Sequence, residues 1–233
     1  VLQSSRYVTG GVAEARAAAA EDARILRAAG FAVIREKVEA VASCEGVPRD
    51  LEDARRSPAD RYFEFHVLVD RPGRPIDDAD VASLRGVAAG FSERLGTPVP
   101  LSYNALKPAQ RFLNVRARGV GLAEAMAPVR ALADEIAGVE GLVVKKVIAE
   151  YICFDSNRAV DNGWLHEIGS GTQVRGGYLD LARARALALV QKRVLVQKRE
   201  REPALVPSLH FECNIIYRLM AVQVPGLAVP DAP

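Results

Sequence analysis

Gly30-Phe-Ala-Val-Ile-Arg-Glu-Lys-Val-Glu39 and Gly141-Leu-Val-Val-Lys-Lys-Val-Ile-Ala-Glu150 are the two stretches on which the reading of this chain turns. Each opens on glycine and runs on through apolar and β-branched residues of strand character. At matching offsets each carries a basic residue (Arg35, Lys146) and a glutamate (Glu39, Glu150). Upstream, each is preceded by a helical pattern, and that pattern by a short strand-like run. Arg6-Tyr-Val-Thr-Gly10 with a helix over 12–29 leads into the first stretch. Arg111-Phe-Leu-Asn-Val115 with a helix over 122–137 leads into the second. The chain therefore reads as a β-α-β unit used twice.

The remaining elements extend this pattern. Asp77 and Asp78 are good N-cap residues, and Val81, Leu84, Ala88, Phe91 and Leu95 follow at helical spacing before Gly96. The helix over 122–137 carries Leu122, Met126, Val129, Leu132 and Ile136 on one face, with Pro128 expected to distort it or delay its start. A last, basic helix is expected over 178–199. Strands are expected over 61–69, 99–103, 111–117, 142–154 and 209–216, with a weaker one over 164–168. A β-α-β-β-α-β order is that of the ferredoxin-like sandwich. The expectation is thus an α+β fold of tandem ferredoxin-like repeats, a mixed or antiparallel sheet with helices on one face. The units would be 1–105 and 106–217, followed by a tail over 218–233 that is Pro-rich from Val224 to Pro233.

Alternation along a strand sorts each run into two faces. Phe63, Phe65, Val67 and Val69 form an apolar face, which leaves Tyr62, Glu64, His66 and Leu68 on the other. By the same parity Ala32, Ile34, Val38 and Ala40 are covered, with Arg35, Lys37 and Glu39 opposite. Leu113 and Val115 are buried, with Phe112, Asn114 and Arg116 opposite. Val143, Val147, Ala149, Tyr151 and Cys153 are covered, with Lys146, Ile148 and Glu150 opposite. The open face collects both signs of charge and one imidazole.

That face supplies the candidate site. Glu39, Glu64, His66 and Glu150, shielded from water, have the chemistry of acids and bases or of ligands for a divalent cation. Arg35, Arg116 and Lys146, with Asn114, could hold an anionic or phosphorylated ligand. The competing reading makes the same residues cross-strand ion pairs, or pairs at a homodimer interface. A nucleic-acid module is a further alternative, since Tyr62, Phe112 and Tyr7 share the face, but the three glutamates beside them would repel phosphate.

Composition narrows the field. With 49% apolar residues the chain has ample material for a core, and 31 basic against 29 acidic residues leave a charge of only +2, so net charge argues for no nucleic-acid partner. No run of about 20 apolar residues suggests a membrane span. Cys44, Cys153 and Cys213 are widely spaced and read as reduced, small hydrophobes, consistent with a cytoplasmic setting.

Other motifs are weaker. The stretch 155–164 resembles a calcium loop, but Ala159 stands where an Asp or Asn ligand is wanted and Val160 where the turn glycine is wanted. Gly169 to Gly177, with Arg175, precedes a helix and could cradle a phosphate, yet lacks the Lys-Ser/Thr of a P-loop. Lys192, Arg193, Lys198, Arg199 and Arg201 could touch phosphates or simply form a solvated helix face. Trp164 reads as a core anchor or a pocket wall, His210 as a second imidazole for the open face on the last strand, and His166 has no assigned role. No nucleophile triad, metal motif or cofactor fingerprint stands out.

Overall fold

A computed structural model of the 233-residue chain describes residues 2–104, 107, 109–158 and 214–223. Their elements are β1 (Leu2–Thr9), α1 (Val12–Ala28), β2 (Phe31–Val41), α2 (Leu51–Arg56), β3 (Tyr62–Asp70) and α3 (Asp78–Leu95). There follow β4 (Leu101–Tyr103), β5 (Arg111–Ala117), α4 (Leu122–Ala137), β6 (Val143–Asp155) and β7 (Asn214–Gln223). The described strands form a seven-stranded sheet in the order β1-β7-β2-β6-β3-β5-β4. The assigned registers, β1 with β7, β3 with β5, β3 with β6 and β4 with β5, are antiparallel. The expected helix over 178–199, the runs 164–168 and 169–177, residues 209–213 of the last strand, His166, His210 and residues 224–233 of the tail lie outside the described residues, whereas 218–223, expected as tail, continue β7.

The chain divides into two compact units. Among described residues, the first holds 2–39, 154–158 and 214–223. In it β7 lies between β1 and β2, so the β-α-β connection through α1 spans an interposed strand. Ala15, Ala19, Ala23 and Leu26 form the buried face of α1. Their small side chains bring the helix close to β1 and β7. Asp22 falls on the same face and is buried, where it accepts a hydrogen bond from the Tyr217 hydroxyl and lies 3.5 Å from Arg6 Nη1. Burial first, then the Asp22 hydrogen bond and charge, push the Tyr217 phenol well above its usual range, so it stays a donor.

The second unit holds 40–104, 107 and 109–153 of the described residues. Here β3-α3-β4 and β5-α4-β6 follow one another, and the strands lie in the order β6-β3-β5-β4. Phe63, Phe65, Val67 and Val69 are fully buried, as are Leu84, Leu132 and Ile136 from the helical stripes. Asp77 caps α3 by accepting the Asp80 N–H, and Gly96 ends it with φ 62°, a left-handed conformation that favours glycine. Pro128 sits within α4, but the helix starts at Leu122 without delay.

Four details depart from the sequence reading. The short helix α2 carries no sequence signal of its own, because only Ala54 of its six residues is buried and no apolar stripe marks it. Its start is set by Asp50, whose carboxylate accepts the N–H groups of Glu52 and Asp53. Val143 is exposed, because a register shift between Leu68 and Val69 breaks the alternation there. Arg35, Lys37 and Glu39 are buried like their apolar neighbours, so parity does not separate wet from dry along β2. Finally, Cys44 is disulfide-bonded, whereas Cys153 is a buried thiol that donates to the Tyr151 carbonyl, since sequence spacing carries no information on which thiols meet in space.

Candidate functional site

The central strand of the second unit fixes the site. On β3, Glu64 stands opposite Glu150 of β6 and Arg116 of β5, and His66 stands opposite Ile148 and Asn114. Because β3 has a partner on each side, side chains of three strands converge on one face. Glu64 and Glu150 are 3% and 6% exposed, which separates them from solvated surface charges. The His66 side chain keeps 26% exposure and so reaches water where the two carboxylates do not.

Hydrogen bonding orients the imidazole. Asn114 Nδ2 donates to the Pro100 carbonyl at 3.3 Å and to Ser102 Oγ at 3.0 Å. A carbonyl only accepts, so the amide is fixed with its Oδ1 toward His66. His66 Nδ1 lies 2.6 Å from that oxygen and therefore carries a proton. The other nitrogen, Nε2, is 3.2 Å from Glu150 Oε2 and 3.9 Å from Glu64 Oε2. A neutral ring would aim its Nε2 lone pair at carboxylate oxygens. The cluster is satisfied when Nε2 is protonated, or when a cation lies between these atoms.

The charges follow the same logic. Burial opposes the imidazolium, but it is outweighed by the Glu150 hydrogen bond, the Glu64 and Glu150 charges and the Asn114 acceptor. The His66 pKa is accordingly raised above its ordinary value. Arg116 Nε donates to Glu64 Oε1 at 2.8 Å, and its guanidinium lies 5.6 Å from the Tyr62 ring centre. Two carboxylates thus face one guanidinium and one imidazolium. Among the described residues, Glu64, His66 and Glu150 are the group that could hold a metal ion, each offering a ligand atom within 4.8 Å of the others. An N,O,O set of this kind suits a borderline or hard divalent ion.

The structure thus brings Glu64, His66, Glu150, Asn114 and Arg116 together. Lys146 stands farther along the same face opposite Leu68 and is exposed. Arg35 and Glu39 belong to the first unit, where each is engaged by a residue of that unit. Arg35 forms a two-pronged pair with Asp155, at 3.0 and 2.7 Å, and Glu39 meets Arg218 at 2.6 Å and Lys37 at 2.9 Å. Within the second unit Arg116 is likewise paired, so neither arginine offers an uncompensated charge to a ligand. Sequence reading does not find Pro100 and Ser102, which orient Asn114. Their only signal is membership of the short strand region beside β5, across from Phe112 in the case of Ser102.

No family model, curated protein or solved structure matches this chain.

Proposed function

We propose that this chain is an enzyme or binding protein for a small anionic molecule, with its working site on the open face of β3, β5 and β6. The observation that carries the reading is His66, held on one side by Asn114 and on the other by buried Glu150 and Glu64, while its ring still reaches solvent. In this reading His66 exchanges a proton with the ligand, Glu150 stabilises the imidazolium, and Arg116 balances Glu64. The glutamates beside it argue against RNA laid across the face.

A second reading, a divalent cation held by Glu64, His66 and Glu150, is favoured by the Asn114 contact, which leaves Nε2 as the ligating nitrogen. We also read β3-α3-β4-β5-α4-β6 as one ferredoxin-like unit, with β1-α1-β2 a partial second copy. Support comes from the β6-β3-β5-β4 order and from the strand interposed within both β1-α1-β2 and β5-α4-β6. Gly30 and Gly141, at φ 81° and 77°, also turn the chain alike before β2 and β6.

The test is a thermal-shift screen of the parent and of Glu150→Gln against phosphorylated metabolites, carboxylic acids, nucleotides, Mn2+ and Zn2+. An anionic metabolite that raises the parent melting temperature but not that of the variant supports the main reading. Dependence on Glu150 seen for the metals alone supports the second. If nothing stabilises the parent, or every shift persists in Glu150→Gln, both readings fail.

A further inference from the structure

Beside this face, at the end of β3 where Tyr62 lies, the second unit contains a cavity of ≈ 370 Å³. That volume falls at the lower end of the range for small-molecule sites. Its wall includes Arg55, Arg61 and Arg118 together with Ser57, Tyr62 and Tyr151, and no carboxylate among the described residues. Asp60 interrupts the sequence between Ala59 and Arg61 but is not part of the wall.

The three arginines differ from most others in the described chain. Arg35 is matched by Asp155, Arg56 by Glu52 and Asp53, Arg71 by Asp80, and Arg116 by Glu64. For Arg55, Arg61 and Arg118 the described residues supply no such ion pair. Like charges collected around a concavity repel one another, and an anion placed among them relieves that repulsion.

The walls are built rather than accidental. Gly121 approaches Asp50 so closely that a Cβ on it would lie 2.3 Å from Asp50 Cα. Next to it, the Leu122 N–H donates to the Pro48 carbonyl at 3.0 Å. These contacts tie the loop leading into α2, which carries Arg55, to the β5–α4 corner, which carries Arg118. The Arg118 guanidinium lies 5.2 Å from the centre of the buried Tyr62 ring. Burial, first among the causes, raises the Tyr151 pKa despite the Ser57 hydrogen bond and the Arg61 charge, so the phenol remains a donor. Phe63, Val120, Pro48 and Pro58 make the rest of the wall largely apolar.

We infer that this cavity is a binding site for a small phosphate monoester, its phosphate among Arg55, Arg61 and Arg118 and its organic part against the apolar wall. Three guanidiniums favour a dianion over a carboxylate, and their planar forks match phosphate oxygens. The inference does not rest on the proposed function: of the wall, Tyr62 shares the Glu64 face of β3, whereas Phe63 and Tyr151 lie on the opposite face.

The experiment is calorimetric titration of the full chain with phenyl phosphate, benzoate and phenol. The parent, Arg55→Gln, Arg118→Gln, the double variant and an Arg130→Gln control on α4 are compared. Arg55 and Arg118 are exposed, and near-ultraviolet circular dichroism verifies that each variant is folded. The expected result is saturable binding of phenyl phosphate in preference to benzoate and phenol, weakened at least tenfold in the double variant, unchanged in Arg130→Gln, and weakened again by added salt. Absence of saturable binding in the parent overturns the inference, as does equal affinity for phenol or an unchanged affinity in the double variant. If the ligand screen finds nothing that depends on Glu150 while phenyl phosphate still depends on the arginines, the open-face reading fails and the cavity stands. The converse pattern overturns the cavity alone.

Discussion

Replacing Glu150 by Gln should change the stability of the protein with opposite signs at low and high pH. The His66 pKa is raised in the fold, so its stabilising contribution is fully present below the unfolded value of about 6.5 and is lost as pH rises through the folded value. At 3.2 Å the His66–Glu150 contact has a gross Coulomb energy of about 5 kcal/mol at an effective dielectric near 20, and desolvation of the imidazolium offsets much of it. The net worth of a hydrogen bond between charged partners is about 1.5–3 kcal/mol. At pH 5.5 Glu150→Gln should therefore destabilise by about that amount, or roughly 3–12 °C in melting temperature for a chain of this size. Once His66 is neutral the carboxylates of Glu64 and Glu150, directly opposite in register, lose the imidazolium charge between them and repel more strongly, with Arg116 still paired to Glu64. At pH 9 the same substitution should be neutral or should stabilise by up to about 1 kcal/mol. Urea denaturation of both proteins at the two pH values, in EDTA to remove cations, measures the difference. A destabilisation of the same size at both values would refute the argument, because it would mean that Glu150 acts through something other than a titrating imidazole.

Three further substitutions probe the frame around the site. Tyr217→Phe removes the hydroxyl that donates to buried Asp22 and should cost about 1–3 kcal/mol, seen as a lower urea midpoint with unchanged slope. Phe65→Ala empties a position that is 0% exposed on the helix-covered side of β3 and should cost about 3–5 kcal/mol by the same measurement. Gly121→Ala would drive a methyl group into the Asp50 backbone and should cost about 1–3 kcal/mol. It should also weaken phenyl phosphate binding, because Pro48 and α2 must move. A Gly121→Ala protein with parent stability and parent affinity would show that this close approach does not shape the cavity.

The elements with strong local signals are legible in the amino-acid sequence. Helix α4 runs over Leu122–Ala137 as its stripe and flanking glycines indicate, and β5 covers Arg111–Ala117 as its alternation indicates. Both signals are carried by neighbours in the chain: apolar side chains recurring with the helical or strand period, and residues that stop propagation. The cluster is half legible for the same reason. Parity alone puts Glu64, His66, Asn114, Arg116 and Glu150 on one face, because side-chain direction along a strand is a local property.

Pairing is not local. The sequence does not say that β3 lies between β5 and β6, so parity groups Arg35 and Glu39 with residues of a different unit. Nor does it say that Asn114 is turned by Pro100, that Asp155 neutralises Arg35, or that Arg55, Arg61 and Arg118 surround one cavity. The sequence by itself determined the elements with a strong apolar period, such as α1, α3, α4 and β5, and the side of a strand a residue occupies wherever no register shift intervenes, because those are set by steric and hydrophobic periodicity within a few residues. Only the tertiary structure decided which charges meet and which are left to face a cavity, because Coulomb and hydrogen-bond energies depend on distances between strands far apart in the chain.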